Sequence, residues 1–70
     1  MINEILFMET RIFREFCQKY KLSAVRGNHL FNVYRVWNYI ETCYDILHTS
    51  GDEYILEDIS NMLKVKGAAL

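Results

Sequence analysis

The stretch from Val36 to Gly51 has the most regular alternation of hydrophobic and polar positions in the chain. At about 100° per residue, its apolar side chains fall on one seam of a helix, and a second row lies beside that seam. The seam is Val36, Ile40, Cys43 and Leu47, and the second row is Trp37, Tyr44 and His48. This pattern predicts an amphipathic helix over 36–49, ended by Gly51 near the first position past its C-terminus.

A second amphipathic pattern predicts a helix over about 3–20. Its broad apolar face holds Ile2, Ile5, Leu6, Ile12, Phe13, Phe16, Cys17 and Tyr20. Phe7 and Met8 point away from that face and are candidates for a second contact surface. Glu9 projects from the middle of the apolar face. Three interpretations of it remain open: an outward-curling side chain, a pair with an arginine or tyrosine, or a proton-transferring carboxyl group with a raised pKa.

Ser23 is a favourable N-cap for a helix over 24–34. The face expected to be buried holds Gly27, Leu30, Phe31 and Tyr34. A glycine in the centre of that face favours close approach of two helices over a functional backbone contact. Val25 and Val33 lie off the face and are expected to be exposed. At Arg35 the chain either takes a left-handed cap, at a cost of about 1 kcal/mol, or bends into the next helix.

The end of the chain predicts a short extended segment near 53–56 and a helix over 57–66. Acidic residues at 57–58 and lysines at 64 and 66 suit the two ends of that helix dipole. Residues 67–70 are expected to form a frayed tail. Taken together, the patterns predict an all-α fold, a compact bundle of four helices over 3–20, 24–34, 36–49 and 57–66, in one domain spanning residues 1–70.

Composition makes a covered apolar surface a possibility, because 51% of the 70 residues are hydrophobic. At this size a single core barely outweighs conformational entropy, so either the core is rich or a partner covers part of the surface. Charge is uneven: residues 1–35 carry a net +3 and residues 36–70 a net −4. The two halves either pack with complementary charge or offer an acidic face to a basic partner.

Two cysteines, Cys17 and Cys43, fall on apolar helix faces, which favours buried thiols over a disulfide. No apolar run has the length of a membrane span, and the N-terminus lacks the pattern of a cleaved signal. We therefore expect a cytoplasmic protein that does not enter a membrane.

Catalytic and metal chemistry find little support in the spacing of candidate groups. Cys43 and His48 are five residues apart, so their side chains diverge by about 140° around a helix. Four strong zinc ligands occur, Cys17, His29, Cys43 and His48, without the paired spacing of a zinc site. His48 is expected to cap its helix through a ring nitrogen. We expect no enzyme, cofactor or metal; an enzyme would need Glu9, Tyr44 and His48 in one pocket.

A helix-turn-helix regulator that binds DNA is the main alternative, because the second and third predicted helices have suitable lengths. The outward face of the third helix offers Asn38, Glu41, Thr42 and Asp45. Its two carboxylates would repel phosphates. The second helix would have to read DNA through Arg26, Asn28, His29 and Asn32. Nucleic acid is therefore the less favoured partner.

A run of residues between Tyr39 and Ile59 carries a family resemblance. It comprises Tyr39-Ile40, Cys43-Tyr44-Asp45, Leu47-His48-Thr49, Gly51, Glu53-Tyr54-Ile55 and Asp58-Ile59. This run resembles Y-I-x-x-x-Y-D-x-L-H-T-x-G-x-x-Y-I-x-x-D-I, the signature of short bacterial proteins known only as a domain of unknown function. The resemblance covers about residues 12–63. The chain departs from it at Gly27, where the family has a larger apolar residue, and at Arg35, where it has glycine.

Through that resemblance, a neighbouring ADP-ribosyltransferase-like protein is implied, and with it an antitoxin-like or accessory role. The resulting hypothesis is a small non-enzymatic protein-interaction module with a protein partner or a second copy of itself. Its candidate contact residues are Phe7, Met8, Val25, Val33, Tyr44 and His48.

Overall fold

Helices make up the secondary structure of residues 3–70, the part of the chain that the computed structural model describes. They are α1 (Glu4–Lys19), α2 (Ala24–Val33), α3 (Val36–Thr42), α4 (Tyr44–Leu47) and α5 (Asp52–Val65). The predicted all-α class is confirmed, and residues 3–70 contain no strand. The predicted count of four is approximate, because a break at Cys43 divides the predicted third helix into α3 and α4. No glycine or proline marks that break in the sequence.

The prediction of an extended segment at 53–56 is wrong, because these residues belong to the N-terminal half of α5. The helix begins at Asp52, and its buried side chains keep helical spacing from the first turn onward. They are Ile55, Leu56, Ile59, Ser60 and Leu63. Gly51 is the extended N-cap of α5, with φ −71° and ψ 150°. Its predicted role in ending the previous helix is therefore wrong as well.

The buried face of α1 is rotated from the predicted one. Met8, Ile12 and Phe16 are its buried side chains, spaced four residues apart. Met8 is 4% exposed, so its predicted place on a contact surface is wrong, whereas Leu6 is exposed. The reason is that Met8 packs into the core cluster that also contains Ile40 of α3, Leu47 of α4 and Ile55 of α5. Ile2, predicted on the same face, lies outside the described residues.

Close contact between α1 and α2 confirms the predicted role of Gly27, which is buried. A Cβ atom at this position would lie 2.4 Å from Cys17 Sγ and 3.2 Å from Phe13 Cε1. Phe31 of α2 then packs edge-on against Phe13, with ring centroids 5.2 Å apart, and against Trp37 of α3, at 4.8 Å. The aromatic side chains thus join three helices around the core.

The turn between α2 and α3 takes the first of the two conformations considered for it. Arg35 is left-handed, with φ 59° and ψ 37°, and its amide donates to the Asn32 carbonyl at 3.3 Å. Ser23 caps α2 as predicted, since its Oγ accepts from the Arg26 amide at 3.1 Å.

The C-terminal residues leave α5 through Gly67, whose φ is 92°. The Gly67 amide donates to the Lys64 carbonyl, and the Ala68 amide donates to the Leu63 carbonyl. These two bonds form a Schellman-type helix end. Ala68 packs partly buried against the core, and the predicted fraying of residues 67–70 stays a prediction. Among residues 3–70, none of the helices has the length and apolar character needed to cross a membrane.

Candidate functional site

Tyr44, the first residue of α4, and His48, its C-cap, form a stacked pair of rings. Their ring centroids are 5.1 Å apart and their planes differ by 11°. His48 Nδ1 lies 3.0 Å from the Tyr44 carbonyl oxygen, so the histidine caps its own helix as the sequence predicts. Tyr44 is half-buried and His48 is exposed. The stacking and the contact with the Tyr44 carbonyl therefore hold the two aromatic rings in one preferred orientation.

The N-terminal turns of α1 hold this pair from the other side. The Tyr44 hydroxyl donates to Glu4 Oε2 at 3.1 Å. Phe7 follows Glu4 by three residues, which places the two side chains on one stripe of α1. Phe7 is 61% exposed. We call Phe7, Tyr44 and His48 the aromatic patch; α1 and α4 both contribute to it.

Val25 and Val33 belong to a different surface. Both are exposed as predicted, Val25 at 82%. With His29, they are spaced four residues apart along the outer side of α2. Of the six predicted contact residues, Tyr44 and His48 stack on each other, Phe7 lies one turn of α1 from Glu4, Val25 and Val33 lie on α2, and Met8 is buried.

Glu9 has a partner that none of the three sequence interpretations named. It faces Glu41 of α3 rather than an arginine or tyrosine. Desolvation, followed by the hydrogen bond and the charge of Glu41, raises the pKa of Glu9 to about 7. The raised pKa agrees with the third interpretation. Glu9 lies at the α1–α3 contact, whereas the Tyr44 hydroxyl donates to Glu4.

A second pair of carboxyl groups escaped the sequence analysis. Glu15 of α1 is half-buried beside Asp52 at the start of α5. Arg11 Nε and Nη2 donate to the two Asp52 oxygens at 3.1 and 3.2 Å. Helical periodicity is no guide to this pair, because Asp52 arrives from a distant part of the chain. Glu9, in contrast, can be singled out from the sequence, because it is a charged residue on an otherwise apolar helix face.

Tyr39 and Asp58 connect α3 to α5 through a hydrogen bond from the phenol to the carboxylate. Burial raises the pKa of Tyr39, and the hydrogen bond to Asp58 adds to this effect. Both residues belong to the run that carries the family resemblance. Their role in that run is therefore to join two helices.

An open cleft of about 300 Å³ lies between the C-terminal turns of α1 and the middle of α5. It is lined by Lys19, Tyr20, Glu57, Ser60, Asn61 and Lys64. Lys19 is paired with Glu53 at 2.8 Å, and Glu57 stands near it. Because both signs of charge line the cleft, it favours neither an anion nor a cation. Within residues 3–70, no three His, Cys, Asp or Glu side chains are grouped as metal ligands.

The side chains proposed to read DNA are exposed on α2, at positions 26, 28, 29 and 32. Glu41 and Asp45 are also exposed, on α3 and α4. The negative charge expected to oppose phosphate binding therefore lies on the surface.

Residues 3–70 thus form a small all-helical domain with the stacked Tyr44–His48 pair at its surface. The family described as a protein of unknown function, DUF3791, matches residues 7–66, and the chain belongs to this family. The expected membership of a domain-of-unknown-function family is thus confirmed. No curated protein matches the chain, and no solved structure matches it.

Proposed function

We propose that this chain is a small non-enzymatic protein-interaction module and that the aromatic patch is its contact surface. The stacked Tyr44–His48 pair carries the proposal. Its two rings are held by hydrogen bonds to Glu4 and to the α4 backbone, so little side-chain entropy is left to lose on binding. Aromatic side chains of this kind are enriched among residues that dominate binding energy in protein interfaces.

Phe7 supplies the apolar part of the surface. This exposed phenylalanine lies one turn of α1 from Glu4, the partner of Tyr44, and gives a binding partner an anchor that it can bury completely. The family resemblance supports a partner encoded nearby, in an antitoxin-like or accessory role, and a second copy of the chain is the alternative partner. The DNA-binding alternative has weaker support, because Glu41 and Asp45 add negative charge where phosphates would approach.

Co-purification of the tagged full chain from its native host, followed by native mass measurement, tests the proposal. The wild-type chain should retain a stoichiometric protein or a second copy. Phe7→Ser should weaken that complex about 30-fold or more, equivalent to about 2 kcal/mol for an interface hot spot.

Val65→Ser is the matched control. Val65 is 87% exposed, on α5, so its substitution also removes an exposed apolar side chain but not one of the patch. It should leave the complex intact, and both variants should keep the wild-type circular dichroism spectrum. A wild-type chain that is strictly monomeric and partner-free would contradict the proposal, as would a complex unaffected by Phe7→Ser.

A further inference from the structure

Glu15 and Asp52 form the better-defined of two carboxyl pairs at which α1 meets its neighbours. Glu15 Oε1 is fully buried and has no hydrogen-bond partner among the described residues. Both Asp52 oxygens already accept hydrogen bonds from Arg11. A buried carboxylate oxygen without a donor is costly, and a carboxyl group avoids that cost by keeping its proton.

Glu9 and Glu41 form the second pair, between α1 and α3. Glu9 is half-buried and lies three residues before Ile12, which is completely buried. Among charged groups on the helices packed against α1, Glu41 is the one that faces Glu9. In the first pair, Glu15 is faced by Asp52 from α5 and by Arg11 and Arg14 from its own helix.

We propose that the docking of α1 onto α3 and α5 depends on protons. In the folded protein Glu9 and Glu15 hold their protons more tightly than ordinary carboxyl groups do, because each is partly buried against a second carboxyl group. When they ionise, like charges face each other at both contacts and α1 loosens. The device lies in the fold itself and does not depend on the proposed binding function.

The electrostatic environment supports this geometry. Desolvation raises the pKa of Glu9 from 4.5 to about 7, with Glu41 adding to the shift. Desolvation also raises the pKa of Glu15, with Asp52 adding to the shift and the two arginines opposing it. Each group thus binds its proton more tightly in the folded chain than in the unfolded chain. Folding takes up protons, so the stabilising contribution of Glu9 is fully present below about pH 4.5 and is lost as the pH rises to about 7.

Urea unfolding of the full chain at pH 5, 6, 7 and 8 tests the proposal. The wild-type midpoint should fall as the pH rises, and amides of α1 should lose hydrogen-exchange protection relative to those of α5. Glu9→Gln and Glu15→Gln each remove one proton-binding group and one negative charge. Each should reduce the pH dependence and exceed the wild-type midpoint at pH 8.

Glu57→Gln is the matched control, since Glu57 is an exposed glutamate on α5, and it should keep the wild-type pH dependence. A wild-type midpoint that is constant or rises from pH 5 to 8 would overturn the proposal. Carboxyl NMR titration of the wild-type chain gives a test that needs no variant to fold. A Glu9 midpoint near 7 supports the proposal, and one near 4.5 overturns it.

Discussion

Arg35 adopts a backbone conformation that ordinary residues avoid. Its φ of 59° and ψ of 37° lie in the left-handed region, where a Cβ atom crowds the following carbonyl oxygen at a cost of about 1–2 kcal/mol. This conformation lets the chain leave α2 at Val33 and begin α3 at Val36, with two residues between the helices. The short connection keeps Phe31 and Trp37 in contact across the turn.

Arg35→Gly should therefore stabilise the protein. Glycine has no Cβ and tolerates positive φ, although its more flexible unfolded chain offsets part of the gain. We expect the free energy of unfolding, measured in urea at constant pH, to rise by about 0.5–1 kcal/mol. Arg14→Gly, at an exposed position inside α1, should instead lower it by about 1 kcal/mol. A loss of stability in Arg35→Gly would show that the Arg35 side chain contributes more than the backbone strain costs.

The contact between α1 and α2 depends on a missing side chain. Gly27 leaves room for Cys17 Sγ and the edge of the Phe13 ring. Desolvation raises the pKa of the Cys17 thiol, which favours the protonated, less reactive form. At the scale of the element, Gly27 thus has a lower helix propensity than alanine would have, but it allows α1 and α2 to approach closely.

Gly27→Ala should destabilise the protein by about 1–3 kcal/mol through overpacking, despite a gain of roughly 1 kcal/mol in helix propensity. Cys17→Ala removes the sulfur that the new Cβ would meet at 2.4 Å. In that background, Gly27→Ala should cost at least about 1 kcal/mol less, as a double-mutant cycle of urea unfolding would measure. Equal costs in both backgrounds would mean that the α1–α2 spacing is not set by this contact.

At the scale of the whole molecule, polar bonds between distant residues supplement a small core. The radius of gyration is 11.4 Å, close to the roughly 11 Å typical of a folded chain of this length. Such bonds include Arg11–Asp52 and Lys19–Glu53 between α1 and α5, Tyr44–Glu4 between α4 and α1, and Tyr39–Asp58 between α3 and α5. These bonds join the helices in addition to the hydrophobic core, because a chain of 70 residues buries only a limited apolar surface.

Tyr39→Phe should lower the free energy of unfolding by about 1–3 kcal/mol, because it leaves the half-buried Asp58 carboxylate without its phenol donor. Tyr54→Phe is the control, since Tyr54 is exposed on the same helix as Asp58. Its effect should stay within about 0.5 kcal/mol. Equal effects of the two variants in thermal or urea unfolding would contradict a structural role for the Tyr39–Asp58 bond.

The sequence predicted correctly those features that depend on one local signal, such as a helix cap. Ser23 predicted the start of α2, and the imidazole of His48 caps its helix as expected. The break at Cys43 and the helical start of α5 were missed. At Cys43 no residue type marks a break, and at 53–56 a short apolar run fits a strand and a helix equally well.

The candidate site was predictable in part. Phe7, Tyr44 and His48 were chosen for their positions on helix faces, but their association depends on the hydrogen bond from Tyr44 to Glu4 across forty residues. Met8 was assigned to the surface because its helix appeared to bury the opposite side. The packing of several helices around the core reverses that assignment.

The sequence by itself determined the all-helical class, the cap at Ser23 and the glycine needed at position 27, because each follows from periodicity or from the geometry of a few neighbouring residues. Tertiary structure alone decided which side of α1 is buried and which carboxyl groups meet. Those contacts join side chains far apart in the chain. They depend on how whole helices pack, and a local sequence pattern does not specify that packing.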